Sequence, residues 1–162
     1  MKNFKVPLLC LILCGTIYVQ TARSQPSAIE GRLGLSVFTR GGGSTGLLLG
    51  GALEFPFQPA FSFRPELNLA THNGTPIEIG AKLRHEIESS SSRQKFYVIG
   101  GAGAWFYSGG PGFGIDFGGG IVFPLEGDKR SVPVEIRLGP IFGSGGGSFQ
   151  MALTVGIRIL PH

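Results

Sequence analysis

Residues 77–88, Ile-Glu-Ile-Gly-Ala-Lys-Leu-Arg-His-Glu-Ile-Glu, hold the chain to one local geometry. Ile77, Ile79, Ala81, Leu83, His85 and Ile87 share one side, and Glu78, Gly80, Lys82, Arg84, Glu86 and Glu88 share the other. Only an extended strand sorts side chains with a period of two; a helix repeats its faces every 3.6 residues. Both faces are extreme, one nearly all apolar and the other carrying three acids and two bases. The pattern leaves open which face looks inward, and that choice separates a soluble barrel from a membrane one.

The same alternation recurs along the chain. It predicts strands at 32–40, 46–56, 61–72, 77–88, 94–107, 115–124, 132–142 and 149–160. Most are near the ~9–11 residues that a tilted strand needs to span a bilayer. Between them lie clusters that reverse a chain: 41–45, the Pro59 turn, 73–76, 89–93, 108–114, 125–131 and 143–148. The pattern predicts no helix beyond residue 24. Eight strands joined in sequence by hairpins make an all-β fold, an eight-stranded antiparallel up-and-down barrel, and closure leaves no edge to aggregate.

The ends bound the compartment. Lys2 and Lys5, an apolar run from Val6 to Val19 and small residues at Ala22 and Ser24 read as a cleavable export signal over 1–24. The run is shorter than the ~20 residues of a spanning helix. A lead at 25–31, the barrel at 32–160 and a tail at 161–162 follow. Both cysteines, Cys10 and Cys14, go with the signal, so the mature chain has no thiol chemistry. Eleven basic against ten acidic residues then remain, a net charge of +1 that implies no nucleic-acid footprint.

Three features place the polar face inside. It is rich in small residues (Gly34, Gly50, Ala52, Gly80, Gly118, Ala152), which suit the crowded lumen of a narrow barrel. Its charges balance: Arg32, Arg64, Lys82, Arg84, Lys95, Arg137 and Arg158 against Glu54, Glu66, Glu78, Glu86, Asp116 and Glu135. Buried charges must pair, and this set can pair across a lumen. Aromatics gather at strand ends: Phe55, Phe57, Phe61 and Phe123 by one set of turns, Trp105, Phe106, Tyr107, Phe113, Phe142 and Phe149 by the other. Two such groups match the girdles of a membrane barrel. The expectation is therefore a transmembrane barrel with apolar residues toward lipid.

Several stretches resemble the small porin-family outer-membrane β-barrel proteins of Gram-negative bacteria, the OmpX-like barrels. They are Phe61-Ser-Phe-Arg-Pro-Glu-Leu-Asn-Leu69, Ile77-Glu-Ile-Gly-Ala-Lys-Leu83, Phe96 to Ala104 and Gly118-Gly-Gly-Ile-Val-Phe123. The resemblance covers most of 32–160. It implies the outer membrane as location, the lipid bilayer and the insertion machinery as partners, and a structural, stress-related or surface-interaction role. Such barrels usually end on an aromatic residue, whereas this chain ends Ile157-Arg-Ile-Leu-Pro-His162.

No motif carries catalysis. His72 lies at a strand end, His85 on the apolar face and His162 at the terminus, too scattered for a metal site. Ser89 to Ser92 and Glu86 or Glu88 lie near His85 in sequence, but Glu86 falls on the opposite face from it. Gly41-Gly-Gly-Ser-Thr-Gly46 lacks the lysine and following helix of a phosphate loop. The expected protein is thus a monomeric, non-enzymatic barrel with no cofactor, no metal and an ion-paired lumen. The alternatives are a secreted lipocalin-like barrel holding an apolar ligand and an outer-membrane lipid-modifying enzyme acting through His72 or His85.

Overall fold

The computed structural model describes residues 27–39, 43–72, 75–87, 93–108, 110–125, 129–143 and 146–161. The expected export signal, Ser89 to Ser92, Glu88 and His162 lie outside these. Eight strands follow in order: β1 (Ala28–Phe38), β2 (Ser44–Gln58), β3 (Phe61–Ala70), β4 (Ile77–Ile87), β5 (Lys95–Tyr107), β6 (Gly110–Pro124), β7 (Arg130–Gly143) and β8 (Gly146–Ile159). Each pairs antiparallel with the next, and β8 closes the barrel on β1 from Ile29↔Ile159 to Phe38↔Gln150.

Strand boundaries differ from the sequence expectation where turn chemistry hides pairing. β1 begins at Ala28, so residues 28–31 of the expected lead are strand, held by Ala28↔Glu54 and Gly31↔Gly51. Residues 110–114 and 146–148, expected as loop, extend β6 and β8. Gly110 and Gly146 adopt φ of 103° and 107°, which lets the chain reverse tightly between Tyr107↔Gly110 and Gly143↔Gly146. β3 stops at Ala70, where the Ala70 N–H donates to the Pro76 carbonyl at 3.0 Å.

The outer wall is apolar, and the charged side chains gather inside. Leu33, Leu49, Leu67, Ile79, Phe117, Leu153 and Ile157 are each more than half exposed on the outer wall. Arg32, Arg64, Lys82, Arg84, Glu66 and Glu135 point inward and are at most 4% exposed. A soluble barrel with an apolar interior, the lipocalin-like alternative, has the reverse arrangement and is ruled out by these faces. No helix among the described residues is long and apolar enough to cross a membrane. The strands are the elements long enough to do so.

The lumen as candidate functional site

The two ends of the barrel are lined differently. The terminal end carries Ala28, Ile159 and the β2–β3, β4–β5 and β6–β7 connections; the hairpin end carries the other four. Charge fills the terminal end and the middle. Inward alternation on β1, β3, β4, β6 and β7 delivers Glu30, Arg32, Arg64, Glu66, Glu78, Lys82, Asp116, Glu135 and Arg137 into one connected ion-pair cluster. Arg32 reaches Glu66 at 2.6 Å and Glu135 at 3.3 Å. Arg64 spans Glu30 at 2.5 Å and Glu135 at 2.8 Å. Asn68 is its neutral hub: its carbonyl oxygen accepts from Arg32, and its amide donates to Glu66 at 3.2 Å and Glu78 at 2.7 Å.

Lys82 shows how the cluster satisfies itself. The carboxylates of Glu66, Glu78 and Asp116 converge until their oxygens lie within 4.8 Å of one another, a donor set able to hold a metal cation. The Lys82 ammonium sits among them, 2.6 Å from Asp116, 3.0 Å from Glu78 and 3.8 Å from Glu66. With Arg32 and Arg137 it supplies the positive charge that three buried carboxylates require.

A second cluster closes the terminal end. Glu54 accepts from Arg84 at 3.2 Å, from Arg158 at 3.0 Å and from the Ser62 hydroxyl at 2.8 Å. Glu86 meets Arg84 at 3.2 Å and Lys95 at 3.4 Å. Tyr97 joins the two clusters. Its hydroxyl donates to Glu135 at 2.9 Å, and the Arg84 guanidinium lies 3.9 Å over its ring. Gly120 makes room for that ring, because a Cβ there would strike both the tyrosine and the Val134 carbonyl.

The hairpin end is neutral and aromatic. Beyond Glu78 no carboxylate, ammonium or guanidinium faces the lumen among the described residues. Phe38 packs edge-on against His72 at 4.4 Å and against Trp105 at 5.5 Å. Leu48, Ala70 and Ile141 pack inward at the same end. Gly114 leaves space for the indole, since a Cβ there would lie 2.8 Å from Trp105 Nε1. His72 bonds Ser36 Oγ through Nε2 at 2.8 Å and Ser44 Oγ through Nδ1 at 3.0 Å. Burial holds its pKa below the ordinary 6.5.

All thirteen charged residues expected in the lumen make ion pairs. Lys95 does so at the rim, with its side chain 63% exposed, and is not a buried member of the network. Glu30, Asn68 and Tyr97 join the network beyond those thirteen. Trp105 and Tyr107, expected in a lipid-facing girdle, point inward instead: both share the parity of Tyr97 and Ile99, and Trp105 is 2% exposed. Phe106, Phe113, Phe142 and Phe149 do face outward. His85 lies on the apolar face as expected, stacked on Phe61 at 4.3 Å.

An apolar exterior around a charged, internally paired interior defines a transmembrane β-barrel. Solved structures share the fold. The crystal structure of Neisserial surface protein A (NspA) matches with a TM-score of 0.71 at 11% identity, covering 83% of this chain and 96% of that one. The N-terminal β-barrel domain of Pseudomonas aeruginosa OprF matches at 0.56 and 11%, covering 84% and 100%. The outer membrane enzyme PagL matches at 0.53 and 13%, covering 83% and 99%. No family model matches the chain, and no curated protein matches it.

Proposed function

We propose that this chain is exported by a cleaved signal over residues 1–24 and folds into the outer membrane of a Gram-negative cell through that membrane's insertion machinery. It remains there as a monomeric barrel with a structural or surface-interaction role. The observation that carries this reading is the inverted polarity: Lys82 and Arg84 are 1% and 0% exposed while Leu153 and Ile157 stand more than half exposed. Hydrocarbon is the solvent that tolerates such a wall.

The ion network is structural fill. Its guanidiniums and carboxylates neutralise one another, and eight strands leave an interior that side chains occupy. This disfavours a wide diffusion pore and gives the network no role on a substrate. The fold by itself selects no activity: NspA is a surface protein, the OprF unit is one domain of its protein, and PagL is an enzyme. Fractionation of expressing cells tests the reading. The folded chain is expected in the outer-membrane pellet, extractable only with detergent and migrating differently on gels before and after boiling. A chain extracted in plain buffer with no heat-dependent shift contradicts it.

A further inference from the structure

The neutral hairpin end holds a hydrogen-bonded group of two serines and a histidine. We propose that Ser44, His72 and Ser36 form a nucleophile, base and orienting group for acyl transfer from a water-soluble, uncharged carboxylic ester. A nucleophile and a base within hydrogen-bond reach, the base fixed in turn by a third group, is the arrangement such chemistry requires. Ser44 Oγ lies 3.0 Å from His72 Nδ1, and His72 Nε2 lies 2.8 Å from Ser36 Oγ.

The two serines are not equivalent. Ser36 is fully buried, so it is the positioning residue: the tautomer that donates Nε2–H to its hydroxyl oxygen leaves Nδ1 free to take a proton. Ser44 is only partly buried at the first residue of β2, open to a molecule entering the lumen mouth. The Phe38 edge fixes the plane of the imidazole. Burial keeps that imidazole in its neutral, basic form at neutral pH.

The surroundings define the substrate. Beyond Glu78 no described inward side chain carries a carboxylate, ammonium or guanidinium to bind a charged partner. The wall is closed by hydrogen bonds on every side, so a lipid in the bilayer cannot reach Ser44 laterally. In the reaction Ser44 Oγ attacks the ester carbonyl carbon while its proton passes to His72 Nδ1. The carbon–oxygen bond to the alcohol breaks, and the alcohol leaves with that proton. Water then adds to the acyl-serine, giving it a proton through His72 and releasing the acid.

The test uses the full chain folded in detergent micelles, checked by its heat-dependent gel shift, and phenylmethanesulfonyl fluoride as probe. A sulfonyl adduct on Ser44, mapped by peptide mass spectrometry, is expected. Ser44→Ala abolishes it, and His72→Gln slows it by about a hundredfold or more, the contribution of a general base. Ser36→Ala slows it roughly tenfold, the worth of one hydrogen bond, and Ser36→Thr restores it. 4-Nitrophenyl acetate is turned over and phosphatidylethanolamine vesicles are not. An unmodified folded wild-type chain, an adduct at another residue, or labelling indifferent to His72→Gln in a folded variant overturns the proposal. Turnover of the vesicles overturns the assignment of a water-soluble ester. Loss of this activity leaves the barrel reading intact, because the gel shift reports it separately.

Discussion

The two halves of the lumen solve the same packing problem with opposite chemistry. Toward the terminal end, Arg32, Arg64, Lys82, Arg84, Arg137 and Arg158 fill the interior and neutralise six buried carboxylates and the partly exposed rim glutamate Glu86. Toward the hairpin end, Phe38, Leu48, Trp105 and Ile141 fill it with hydrocarbon and rings. A charged lumen specifies its partners across the barrel: Arg64 on β3 finds Glu135 on β7. A neutral lumen specifies by shape, as Gly114 does for Trp105. The charged half therefore ties strands together across the barrel, and the neutral half packs by shape around a hydrogen-bonded serine and histidine group.

Replacing Lys82 with leucine is the largest expected blow to the charged half. It leaves the buried Glu78 with no ion-pair partner, takes one from Glu66 and Asp116, and destabilises the barrel by about 3–5 kcal/mol, read from denaturant unfolding in micelles. A loss under about 0.5 kcal/mol, the ordinary surface value, means that the charges are solvated. Leu153→Arg probes the wall in the same assay, with an expected cost of about 2–4 kcal/mol for a base facing hydrocarbon.

Tyr97→Phe severs the link between the two clusters and removes a hydrogen bond to a charged group, worth about 1.5–3 kcal/mol. The smallest effect belongs to the neutral half. Burial lowers the pKa of His72 in the folded chain, so the unfolded chain binds the proton more readily. Its contribution is complete above pH 6.5 and falls away as the pH drops from there toward the lower folded value. Unfolding midpoints measured at pH 7.5 and 5.5 are expected to differ less in His72→Gln than in the wild type.

How much was legible in the sequence follows the same division. Where one face is charged and the other apolar, as in β3, β4 and β8, alternation gives the strand and its two faces, and the small residues and balanced charges of the polar face give the side. β5 is apolar on both faces, with Phe96 and Val98 outward and Tyr97 and Ile99 inward, so periodicity could not turn Trp105 toward the lumen. Counting parity from Gly101 or Lys95 was the signal that could have found it. Parity gives direction but not depth, which is why Lys95 was expected inside and stands at the rim. Glu30 was missed because Gly31 and the preceding export signal made residues 25–31 resemble a lead. Pairings such as Arg137 with Glu66 depend on closure across the barrel and have no local trace. The Ser36–His72–Ser44 relay joins three hairpin-end positions of different strands and connections, invisible until the register is known.

Neighbouring residues of β8 test the central claim most directly. With Cys10 and Cys14 replaced by serine, Leu153→Cys and Thr154→Cys are each spin-labelled in the chain reconstituted into vesicles. Leu153 is 53% exposed on the outer wall, and Thr154 is 4% exposed toward the lumen. Relaxation by dissolved oxygen, which concentrates in hydrocarbon, is expected to be strong at 153 and weak at 154. Strong relaxation at 154, with 153 shielded, would contradict a barrel that turns its apolar face to lipid and its ion pairs inward.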